Sequence, residues 1–108
     1  MLARYEPTDN LLIVAESQRG LAEAHTSTGS FNAAVDWFTQ AIDCFHKLTR
    51  NHEEARTRLK LVHVHLEMGN IDKALHEAQQ AEKTFLEIGV QHDADRARRE
   101  IEMILRAV

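Results

Sequence analysis

One cysteine, one proline and four glycines are spread through 108 residues, and each scarcity excludes something. Cys44 has no partner within the chain, so no intramolecular disulfide can hold the fold; this suits a reducing compartment, and a cytoplasmic location is expected. No apolar run approaches the roughly 20 residues that cross a bilayer. The opening MLARYEPTDN lacks the basic region and apolar core of a secretory signal. Nowhere do apolar and polar residues alternate as they would in a half-buried strand, and no glycine-rich phosphate loop is present. Thirteen basic residues stand against 17 acidic ones, a formal charge of −4. That balance argues against nucleic acid as a partner, because phosphate contacts need a basic footprint.

What remains is ordinary for one soluble domain over residues 1–108: 44% hydrophobic and 28% charged residues. The apolar residues recur at helical spacing. Pro7, Thr8 and Asp9 suit a helix start, and a first helix runs to about Thr28. The second, about 31–48, has the cleanest stripe: Phe31, Ala34, Val35, Phe38, Ala41, Ile42, Phe45 and Leu48. Helices over about 52–68, 71–88 and 92–106 follow. Gly29 and Gly69 suit the left-handed residue that ends a helix, and Ser30 suits the cap of the next. Asn51 with Glu54 resembles a capping box. Short connections make successive helices antiparallel.

The chain also repeats itself. Shifted by 40 positions without gaps, Ala15, Leu21, His25, Gly29, Ala34, Gln40, Ala41, Phe45 and His52 fall on Ala55, Leu61, His65, Gly69, Ala74, Gln80, Ala81, Phe85 and His92. A period of this length marks stacked repeats. The divisions are about 15–54, about 55–94, and a closing half-repeat helix over 95–108.

These residues resemble the tetratricopeptide repeat family. The resemblance rests on Leu21, Ala24, Gly29, Ala34, Phe38, Ala41 and Phe45, and again on Leu61, Val64, Gly69, Ala74, Ala78, Ala81 and Phe85. It implies an all-α, right-handed stack of helix hairpins, about five helices in all. The alternative is a closed helix bundle. The period exceeds the family's usual 34, which puts extra residues in the connectors near Thr49–Glu53 and Gly89–Asp93. Gln18 and Arg58 stand where the family has a first-helix tryptophan.

Residues that could carry chemistry point elsewhere than catalysis. His63 and His65 are two apart, on different helix faces, which does not make a metal pair; His25 and His65 hold a packing position. The segments His52–Arg56 and His76–Gln80 begin like a zinc-protease helix but lack its second histidine. Cys44 reads as a buried, inert thiol. Trp37 either packs beneath the N-terminal segment, near Leu2 or Tyr5, or stands exposed at a contact surface. No catalytic residue, metal or cofactor is expected.

The resemblance implies a concave groove lined by the first helix of each repeat, open to a peptide or helix of another protein. Its positions transfer to Glu16, Arg19, Glu23 and Thr26; to Arg56, Leu59, His63 and Leu66; and to Arg96, Arg99, Met103 and Arg106. The basic end would favour an acidic or carboxylate-bearing segment, with Leu59, Leu66 and Met103 as an apolar floor. Some members grip a C-terminal carboxylate with a Lys, Asn and Arg clamp. Arg19 and Arg96 match it in charge, but Glu23, Lys60 and Glu100 do not, and that specialised function is not implied. The alternative to a binding groove is a structural module that self-associates through its repeat ends or caps a longer array in a regulatory protein.

Overall fold

The computed structural model describes the backbone of residues 7–107 and the side chains of residues 10–107. It consists of α1 (Pro7–Ser27), α2 (Phe31–Lys47), α3 (Asn51–Glu67), α4 (Ile71–Glu87) and α5 (Gln91–Ala107). No strand occurs among the described residues. From α2 onward every helix has 17 residues.

The first four helices end the same way. The amides of Ser30, Arg50, Asn70 and Val90 donate to the carbonyls of His25, Phe45, His65 and Phe85 at 2.8–2.9 Å, and the preceding amides donate to Thr26, His46, Leu66 and Leu86. This is the Schellman pattern, which needs a left-handed residue after the helix. Gly29, Gly69 and Gly89 supply it at φ 76–79°, whereas the same place between α2 and α3 is held by Thr49 at φ 52°.

Two sequence expectations are corrected here. The connectors near Thr49–Glu53 and Gly89–Asp93 are no longer than the others, since α3 already begins at Asn51 and α5 at Gln91. The added length of the period therefore lies in the helices. Asn51 and Glu54 form no capping box, and neither Ser30 nor Arg50 caps through its side chain. The residue that opens each helix also closes the preceding Schellman turn. That holds it near φ −85°, ψ 69°, outside the extended geometry from which a cap side chain reaches the first-turn amides. Glu54 turns instead to His46 and Arg58.

Alanines set the helix spacing. Ala15, Ala22, Ala34, Ala41, Ala55, Ala74, Ala78, Ala81 and Ala97 are fully buried, and Phe38, Phe45 and Phe85 fill the space between them. One cluster joins Ala22 to Ala34, Phe38, Ile42, Leu61 and Val64 across α1, α2 and α3. Another joins Ala55 and Leu59 to Ala81, Phe85, Ala94 and Ala97 across α3, α4 and α5. The result is a plate of 59 × 34 × 16 Å. In a closed bundle Glu16, Glu23, Arg56, His63 and Arg96 would be covered, yet all are exposed. Trp37 is half-buried against the α1–α3 cluster beside Phe31, Val35 and Met68. Its expected neighbours Leu2 and Tyr5 lie outside the described residues.

Candidate functional site

The odd-numbered helices share one face of the plate, and charged side chains bridge them across it. Arg19 on α1 pairs with Glu53 on α3, and Glu23 with Lys60 at 2.9 Å. Further along, His52 meets Asp93 of α5 at 2.7 Å, and His63 lies 3.8 Å from Glu100. Burial pushes the Glu53 carboxyl up. The hydrogen bond and charge of Arg19, with Arg56 and His52 adding, outweigh it and hold the group below the ordinary carboxylate range. Arg19 is also stacked 5.1 Å above the Phe45 ring, so it is fastened rather than offered to a ligand.

Between α3 and α5 lies a cleft of about 100 Å³, lined by Arg56, Leu59, Lys60, His63, Asp93, Arg96 and Glu100. Leu59 is its apolar base, only 7% exposed. Asp93 and Glu100 are largely covered and lie against histidines, while Arg56, Lys60 and Arg96 are exposed. Lys60 is paired with Glu23 and Arg56 lies 3.6 Å from Glu53, so among the described residues Arg96 is the cleft cation with no carboxylate within ion-pair distance.

The other residues transferred to the groove are dispersed. Glu16 and Glu23 are exposed on α1, and Thr26 donates to the Ala22 carbonyl at 2.8 Å. Leu66 packs with Val62, Ala74, Ala78 and Ile104 in the core. Met103 is 62% exposed. Arg99 and Arg106 are exposed but outside the cleft. They occupy the positions where α3 carries Leu59 and Leu66, which pack into core clusters with α4. Among the described residues no helix follows α5 to meet them. The pairing of Arg19 with Glu53 spans 34 residues, and nothing in local spacing signals it.

On the opposite face a larger cleft, about 520 Å³, opens between α2, α3 and α4. At its base Glu54, 7% exposed, is 3.0 Å from His46 Nδ1 and accepts from Arg58 Nη2 at 3.2 Å. Arg58 Nη1 donates to Glu77 at 2.7 Å. Arg58 thus ties a buried carboxylate and a partly buried one together and locks α3 to α4. Only the i,i+4 spacing of Glu54 and Arg58 hints at this. His65 is 5% exposed with its Nδ1 unpartnered, whereas His63 is exposed. Cys44 is half-buried, its Sγ 3.3 Å from Gln18 Oε1. Among the described residues no three His, Cys, Asp or Glu side chains gather as metal ligands, and no helix is long and apolar enough to cross a membrane.

Comparison with curated proteins gives no match. The family description tetratricopeptide repeat, in contrast, matches residues 13–87, a span covering most of both helix hairpins, the turns at Gly29 and Gly69, and the buried alanines from Ala15 to Ala81. Repeats of this kind generally mediate protein–protein interaction and are typically non-catalytic. With that match extending over more than two thirds of the sequence, the chain belongs to the tetratricopeptide repeat family.

Proposed function

We propose that the protein is an interaction module whose odd-helix face receives an acidic or carboxylate-bearing segment of another protein, centred on the cleft between α3 and α5. The observation that carries this reading is the pair Arg56 and Arg96, exposed on the two walls of that cleft over Leu59. The acids beside them, Asp93 and Glu100, already lie against histidines. A guanidinium can hold a carboxylate through two parallel hydrogen bonds, which lysine cannot. Exposed pairs contribute at most about 1 kcal/mol each and are screened by salt, so apolar side chains of the ligand would have to use Leu59 and Met103 as well.

A panel of short peptides differing in acidic and apolar content tests this by fluorescence anisotropy. Acidic peptides with one or two large apolar residues should bind best, and added salt should weaken them. Arg56→Glu with Arg96→Glu should reduce their affinity about tenfold, on the order of 1.4 kcal/mol. Arg99→Glu with Arg106→Glu, outside the cleft, should change it little. Equal loss in both double variants would reject the cleft in favour of a diffuse field.

A further inference from the structure

The two ends of the stack are built from opposite chemistry. On α3, Glu54, Thr57, Leu61 and Val64 are each no more than 7% exposed; Leu61 and Val64 share a cluster with Ala34, Phe38 and Ile42 of α2. One repeat earlier the same stripe on α1 reads Val14, Ser17, Leu21 and Ala24, and no described helix precedes α1 to cover it. Val14 and Leu21 are each 44% exposed and Ile13 beside them 55%. Along this face no charged residue occurs between Asn10 and Ser27. A side chain at Gly20 would meet nothing within 4 Å, and Ser17 and Ala24 are small, so another helix can approach closely. At the far end α5 carries Asp95, Arg99, Glu102 and Arg106, all exposed, at the positions where α3 buries or half-buries Ala55, Leu59, Val62 and Leu66.

We propose that the outer face of α1 is a self-docking surface on which two copies of this chain pair head to head, α1 against α1 about a two-fold axis. The repeat-equivalent stripe is already a helix-docking surface within the molecule, where α2 lies on α3. Head-to-tail joining would set the uncharged stripe against the charged face of α5 and desolvate those charges without partners. A two-fold contact avoids this and closes at two copies. Such a contact sets residues near the axis against their own symmetry mates, so a charge there would repel itself; the α1 stripe has none. The nearest acids stand at its edge, and Glu23 is turned to Lys60 of α3. At 1.5 Å per residue the stripe is about 27 Å long. One helix pair of that length covers less than the roughly 1,200 Å² of stable complexes, so the dimer is reversible, with a Kd on the order of 10–100 µM. The concave-face reading involves α3 and α5 and stands or falls separately.

Sedimentation equilibrium from about 5 µM to about 1 mM, a range bracketing that constant, tests the proposal. The average mass should rise from one copy toward two. Leu21→Glu and Val14→Glu, both at exposed positions and checked for unchanged helical signal, should each weaken association at least tenfold, while Arg56→Glu with Arg96→Glu leaves it unchanged. In a Cys44→Ser background, Ser17→Cys should form an interchain disulfide under mild oxidation, and Glu102→Cys on α5 should not. A single-copy mass at every concentration overturns the proposal, as does a dimer indifferent to both glutamates. So does a monomer that binds an added peptide of residues 30–50 through α1, which would assign the face to a repeat helix from elsewhere.

Discussion

Thr49 is the residue whose local conformation most contradicts its side chain. It occupies the left-handed place that glycine holds in the other three turns, and a branched Cβ there costs about 1–2 kcal/mol. Glycine relieves that strain but adds backbone entropy to the unfolded chain. Thr49→Gly should therefore stabilise the protein by about 0.5–1 kcal/mol, read as a Tm rise of roughly 2–6 °C. His65 carries the clearest acid sensitivity. Burial pushes its pKa below the ordinary histidine value; Glu77 opposes this in part and Lys73 reinforces it. Below about pH 6.5 the unfolded chain takes up a proton that the folded chain resists, so this contribution to stability is complete above that pH and declines as acid is added. The lowered carboxyl of Glu53 works in the same direction at lower pH. Urea midpoints measured at pH 7.5 and 5.5 should fall less for His65→Gln than for the wild type.

At the scale of the helix pair, the repeat was readable because close packing demands small residues at fixed places. Ala34, Ala41, Ala74 and Ala81 are fully buried as their spacing predicts, and Ala74→Leu should destabilise by about 1–3 kcal/mol through overpacking. Gly29 and Gly69 were readable for the same kind of reason, since the turn requires φ > 0. What spacing could not convey is what stands next to a helix at the ends of the stack. Leu21 and Ala24 match Leu61 and Val64 in register yet lie exposed, because among the described residues no helix packs on that side of α1 as α2 packs on α3. Arg99 and Arg106 share the register of Leu59 and Leu66 but not their neighbours. The Glu54–Arg58–Glu77 bridge eluded the sequence as well, since Glu54 looked like a cap while its partners come from packing. Arg58→Leu should lower stability by about 3 kcal/mol by stranding Glu54 and Glu77. Adding Glu54→Gln should recover part of that loss in a denaturation-based double-mutant cycle.

The whole molecule is a plate rather than a sphere. Its Cα radius of gyration is 14.8 Å, against about 13 Å for a compact domain of this length. Solution scattering of dilute monomer should return the larger value. Its stability should be graded along the stack, as in other quasi-linear folds. Amides of α3, sandwiched between α2 and the α4–α5 pair, should exchange slowest and those of α1 and α5 fastest; uniform protection across all five helices would argue against that gradient. The evenness of the turns has a genetic corollary. Since α2 and α4 begin 40 residues apart after equivalent turns, an in-frame deletion of residues 31–70 joins Ser30 to Ile71 and recreates the junction that Asn70 makes. A duplication of the same segment does likewise. Length change in steps of one hairpin is then a small mutational move, while a gain or loss of one or two codons inside a helix rotates the buried alanines in the rest of that helix away from their partners.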